Sequence, residues 1–99
     1  MALLDTYKPM REYITNYLSS KTTFYCEVSI FERFNRIEIS IGSESDRSLK
    51  YLTERLKELE IDFTIEPAWG WESWEREYVI LTEDEYLKLY TLCSLQNKF

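Results

Sequence analysis

The chain has no histidine, which removes the commonest general base and metal ligand from all 99 residues. Ser/His and Cys/His nucleophile systems are excluded by the same absence. Glycine is nearly as scarce, with only Gly42 and Gly70. Neither lies in a P-loop or a GxGxxG pattern, so no loop is built to cradle phosphates and no nucleotide cofactor is expected. Cys26 and Cys93 are far apart and in no CxxC or Cys/His spacing; they read as small buried hydrophobes, not as zinc ligands or a disulfide framework. Long apolar runs are missing too, and the start MALLDTYKP has neither the basic region nor the apolar core of a signal peptide. The expectation is a cytosolic chain with no membrane association.

Basic charge is missing from one stretch in particular. Residues 62–85 hold eight acids and one base, Arg76, whereas residues 1–61 are nearly balanced and residues 86–99 carry two lysines and no acid. The overall charge of −6 is therefore a local property. Phosphate binding needs a basic face, so direct nucleic-acid binding is disfavoured, while an acidic patch attracts basic protein surfaces, including those that handle nucleic acid.

What is present is ample material for one core. Hydrophobic residues make up 44% and aromatics 16% of the chain, the composition of a folded protein, and the length suits a single domain over 1–99. Tyr7, Met10, Ile14, Tyr17 and Leu18 form one stripe of a helix over 7–18, with Asp5 or Thr6 as N-cap and Pro9 in the first turn. Residues 23–31 alternate, with Phe24, Cys26, Val28 and Ile30 inward and Tyr25, Glu27 and Ser29 outward. A return strand over 36–42 puts Ile37, Ile39 and Ile41 inward and Arg36, Glu38 and Ser40 outward, joined by the link Glu32-Arg33-Phe34-Asn35. Phe31 and Phe34 are left without an assigned face.

Ser43 to Asp46 supply caps for a second helix, whose stripe is Leu49, Leu52, Leu56 and Leu59 and whose outer face carries the pairs Asp46/Lys50 and Lys50/Glu54. A third strand runs over 61–66 until Pro67, and a fourth over 77–81, with Tyr78 and Ile80 on one face and Val79 and Leu81 on the other. Thr82 to Glu85 reads as a capping box for a last helix over 83–95. Its Tyr86, Leu89, Tyr90 and Cys93 face the core, and Leu87, Leu92 and Leu95 widen the apolar surface enough to suggest a subunit interface. The fold class is α+β in the order α-β-β-α-β-β-α, a mainly antiparallel four-stranded sheet with helices on one face. Its other face, with Tyr25, Ser29, Ser40 and Thr64, reads as wet or covered in a dimer.

Between the last two strands lies the most unusual stretch, Glu66–Glu77, which contains all three tryptophans. Large amphipathic rings alternating with acids suit a contact surface, because Trp and Tyr are enriched among residues that carry binding energy. Some of these rings also suit a cap on the core. The candidate partner-binding residues are Asp62, Glu66, Trp69, Trp71, Glu72, Trp74, Glu75, Glu77, Glu83 and Asp84. The carboxylates Asp62, Glu66, Glu72, Glu75 and Glu77 would suit magnesium in a nuclease-like enzyme. No lysine accompanies them and no basic path leads a phosphate chain to them, so the chain reads as a non-enzyme without metal or cofactor. A metal-dependent nuclease and a structural or regulatory dimer remain the alternatives.

The segment RLKELEIDFTIEPAWGWESWEREYVILTEDEYLKLY, together with the size and acidity of the chain, resembles the small acidic proteins of rod-shaped viruses of hyperthermophilic archaea. Within that group it is similar to the anti-CRISPR inhibitors of the type I-D interference complex. The resemblance implies a viral protein acting in the host cytoplasm as a homodimer, binding the large subunit of the effector without turnover.

Overall fold

The computed structural model describes residues 3–23, 26–43, 47–67 and 77–96. Helix α1 spans Leu4–Lys21, strands β1 and β2 Cys26–Arg33 and Arg36–Ser43, and helix α2 Arg47–Glu58. Strands β3 and β4 span Thr64–Pro67 and Glu77–Thr82, and helix α3 spans Glu83–Gln96. This is the expected α-β-β-α-β-β-α order. The sheet is antiparallel throughout, in the order β1-β2-β4-β3, so the two hairpins are joined through their second strands and β1 and β3 form the edges.

One face of this sheet carries Val28 and Ile30 from β1, Ile37 and Ile39 from β2, and Val79 and Leu81 from β4. Those side chains form one hydrophobic cluster with Met10, Ile14 and Leu18 of α1, Leu52 and Leu56 of α2, and Tyr86, Leu89 and Cys93 of α3. All three helices therefore cover the same face. Burying each of these large side chains contributes about 1.5–3 kcal/mol. The expected stripes are recovered, with Leu49, Leu59, Tyr17 and Tyr90 half-buried at their margins. On α3, Leu87 and Leu92 pack against the chain's own core, and only Leu95 of the surplus leucines is left exposed.

Several boundaries move, each for a local reason. Helix α1 begins three residues early, so Pro9 is its sixth residue, beyond the first turn. There it removes the backbone donor to the carbonyl of Asp5, a loss the burial of Tyr7 and Met10 overrides. Neither Asp5 nor Thr6 caps the helix. Thr6 is instead fully buried, its hydroxyl donating to the carbonyl of Leu3 at 2.6 Å and lying 2.7 Å from the hydroxyl of Tyr86. Helix α2 ends with a bond from the amide of Ile61 to the carbonyl of Leu56 and another from Glu60 to Lys57, with Glu60 at φ 61°. This is a Schellman cap with glutamate where glycine is the relaxed choice. The caps expected at 44–46 and the Asp46/Lys50 pair lie outside the described residues, as do Phe24 and Tyr25. Lys50 and Glu54 do pair, at 4.0 Å on the surface.

The first hairpin is tighter than the sequence suggests. Strand β1 continues to Arg33, leaving a two-residue turn at Phe34-Asn35 with φ of 53° and 61°. A two-residue turn with both angles positive follows the twist of the strands, and asparagine tolerates it, whereas a phenylalanine there is strained. Phe34 is also 83% exposed, so no packing offsets that strain. Phe34→Asn is expected to raise the free energy of unfolding by about 1 kcal/mol, read by urea denaturation. An unchanged midpoint would mean that the turn relaxes without cost.

Candidate functional site

Strand β3 and the start of α3 place the described acids in two groups. Glu66 and Glu77 lie at the end of the β3–β4 hairpin nearest residues 68–76, where Glu66 pairs with Tyr78 and Pro67 with Glu77. Asp62 precedes β3, and Glu83 and Asp84 follow β4, so these three lie at the other end. Asp62, Glu77, Glu83 and Asp84 are exposed. Trp69, Trp71, Glu72, Trp74 and Glu75 lie outside the described residues.

The capping box at the start of α3 is half made. The amide of Glu85 donates to the hydroxyl of Thr82 at 3.2 Å, but the carboxylate of Glu85 turns to accept the backbone N–H of Asp62 at 3.1 Å. Lys88 adds a bond to the carbonyl of Glu60 at 2.9 Å. These contacts tie the segment ahead of β3 to α3, so Asp62 is held beside the helix start. Glu83 and Asp84 sit in the first turn, where the helix dipole favours negative charge and leaves their oxygens in water.

Glu66 is not a free acid. Its carboxylate takes a forked contact from Arg36, at 2.6 Å from Nη1 and 3.2 Å from Nη2. Arg36 also lies 3.8 Å from Glu38, which Arg33 approaches at 3.9 Å. Glu38 lies on the outward face as the alternation predicts, but it is only 2% exposed, so this part of the face is not wet. It pairs across the ladders with Phe31 on one side and with Ile80, itself 5% exposed, on the other. The rings of Phe31 and Tyr78, on the strands flanking β2, meet edge to face with centroids 5.8 Å apart. Such a contact is only reachable above β2, so the aromatic pair bridges the strand that carries Glu38. Among the described residues, Oε2 of Glu38 and Nε of Arg36 make no hydrogen bond.

Sequence reasoning missed this arrangement of Phe31, Arg36, Glu38 and Tyr78. The available signal was an outward phenylalanine following Glu27 and Ser29 in the alternation. Its meaning depends on β4 lying next to β2, which no periodicity reveals.

Groups suited to nucleophilic or acid-base work are few. Burial pushes the Cys93 thiol up to about 12 from 9.0, partly opposed by Arg55. Burial likewise pushes the Tyr86 hydroxyl up to about 12 from 10.0, partly opposed by its bond with Thr6. Both groups are shielded and neutral, the opposite of an activated nucleophile. Because the folded-state values are raised, the unfolded chain gives up these protons first, so their stabilising effect is intact below pH 9 and lost as pH climbs toward 12. The expected result is an unfolding free energy that stays level up to about pH 9 and then declines, with the onset moved toward pH 10 in Cys93→Ala. An onset unchanged in that variant would remove the thiol from the account. No group of three or more potential metal ligands occurs among the described residues. No described helix is long and apolar enough to cross a membrane. Comparison with protein-family models, with curated proteins and with solved structures gives no match to this chain.

Proposed function

We propose that this chain is a non-catalytic inhibitor that works by binding a basic protein surface, and that the surface belongs to an effector that handles nucleic acid. The observation that carries the reading is the segregation of charge: eight acids against one base over residues 62–85, with Asp62, Glu77, Glu83 and Asp84 exposed along one hairpin and the helix start beside it. Carboxylates so placed stand where phosphates would otherwise lie, and the effector's lysines and arginines exchange one anionic partner for another. Glu66 is occupied by Arg36 and serves to brace the strand. The tryptophans of the intervening stretch supply the apolar anchors that charge alone does not give.

The partner that the sequence resemblance points to is the large subunit of the type I-D CRISPR effector, met in the host cytoplasm by a homodimer of this viral chain. Neither metal nor cofactor enters the mechanism. Titration of the purified large subunit with this protein at rising salt is the direct test. Affinity is expected to fall at least about tenfold between 0.1 and 0.5 M salt, where screening shortens the range of charge–charge attraction to a few ångströms. Bound nucleic acid is expected to be displaced in the same range. Salt-independent affinity, or binding that leaves nucleic acid in place, would overturn charge mimicry.

A further inference from the structure

The β1 edge of the sheet has a different character from the β3 edge. Strand β1 is an edge strand of eight residues with no proline and no glycine, unlike the four-residue β3 at the opposite edge, which ends in Pro67. A two-residue turn joins its flanking residues Arg33 and Arg36 by both backbone bonds. Counting back from that pair, the amides and carbonyls of Val28, Ile30 and Glu32 point away from β2. Among the described residues, none of the three has a hydrogen-bond partner on that outer side. An edge of this length with no strand beside it among the described residues is a template for another strand.

Beside this edge runs a groove of about 540 Å³ between β1 and the start of α1, lined by Leu4, Tyr7, Lys8, Arg11, Ile30 and Glu32 among others. Leu4 is 73% exposed, so the apolar wall opens to solvent. Lys8 and Arg11, exposed and three residues apart on one face of α1, make no ion pair with any described residue. With Glu32 as the third charged residue of the lining, the groove carries two cations against one acid in a chain of net charge −6.

We infer that β1 and this groove form a second docking surface, which receives an extended segment of a partner protein carrying alternating apolar and acidic residues. The segment adds a fifth strand through the outward backbone groups of Val28, Ile30 and Glu32. Side chains on its helix-facing side lie alternately against Leu4 and Tyr7 and against Lys8 and Arg11. The surface is built from other residues than the acidic one, and cations outnumber acids in its lining.

A blocked peptide of sequence Val-Thr-Asp-Thr-Leu-Thr-Asp puts its apolar and acidic residues on one face and threonine on the other. Added to the full chain at about 1 mM, in the affinity range of weak peptide docking, it is expected to shift the amide resonances of Val28, Ile30 and Glu32. The same peptide with N-methyl groups on alternate amides, and a version with lysine for aspartate, are expected to give no such shift. Lys8→Glu with Arg11→Glu, both exposed, is expected to weaken binding about tenfold while leaving the resonances of β4 unchanged. Absence of shifts, equal binding of the N-methylated peptide or equal binding of the lysine peptide would each overturn the inference. Concentration-dependent protection of these three amides from exchange in the protein alone would also overturn it, by assigning the edge to a second copy.

Discussion

Arg36→Ala is expected to cost about 2–3 kcal/mol of stability and to lower the thermal midpoint by roughly 10–20 °C. The reason is what it leaves behind. Glu38 is nearly inaccessible, at 2% exposure, and of its two cationic neighbours Arg33 is half in solvent and 3.9 Å away. Removing Arg36 strands a carboxylate beneath the Phe31–Tyr78 pair with little to compensate its lost hydration. A fully buried pair would cost more, but the Arg36 side chain is 35% exposed, and water reaching the vacated space relieves part of the penalty.

Three companion variants separate this account from a simple loss of contacts. Glu66→Ala removes the forked bond at a half-exposed carboxylate and is expected to cost only about 0.5–1 kcal/mol. Adding Glu38→Gln to Arg36→Ala removes the stranded charge and is expected to recover much of the loss. Arg36→Met with Glu38→Leu replaces the pair by apolar groups on a face already lined by Ile80 and Phe31, and is expected to be near neutral. Chemical denaturation of the set reads the coupling directly. If the double variant with Glu38→Gln is no more stable than Arg36→Ala alone, the buried-charge explanation fails.

The same cluster shows where sequence reasoning stops. Helix stripes and strand alternation are local patterns, and they identified the seven elements, the core-facing residues of β1 and β2, and the two faces of β4, on which Val79, Ile80 and Leu81 are all buried. Strand order is not local. Only when β4 pairs with β2 do Ile80 and Phe31 flank Glu38 and convert an outward polar position into a buried one. Competing partners for one side chain are equally invisible in a motif: Glu85 occupies the correct place for a capping box, yet its carboxylate is drawn to the amide of Asp62. Pro9 and Glu60 both break local preference, one inside a helix and one at a left-handed position, because burial of the flanking Tyr7, Met10 and Ile61 outweighs costs of about 1–3 kcal/mol. Of the candidate site, the exposure of Asp62, Glu77, Glu83 and Asp84 was legible, since acids at strand ends and helix starts are ordinarily solvated. The engagement of Glu66 was not, because its partner Arg36 is thirty residues away in sequence.

Reversal of charge at Glu77, Glu83 and Asp84 together, each to lysine, is expected to weaken binding to a basic effector surface by at least about 100-fold. Each substitution removes an attraction and adds a repulsion, and the three exposed positions fall at both ends of the hairpin, so no single cation on the partner accounts for all of them. Folding is expected to suffer less. Lysines in the first turn of α3 oppose the helix dipole at roughly 0.3–1 kcal/mol each, while the Thr82 cap and the Glu85–Asp62 tie stay in place. Stability measured beside affinity therefore distinguishes a lost surface from a lost fold. The salt slope adds a second reading: with three fewer anions, affinity is expected to depend less steeply on salt than in the parent protein. Full affinity in the reversed protein would move the binding surface away from these acids. Reduced affinity with an unchanged salt slope would assign the effect to shape, with charge only incidental.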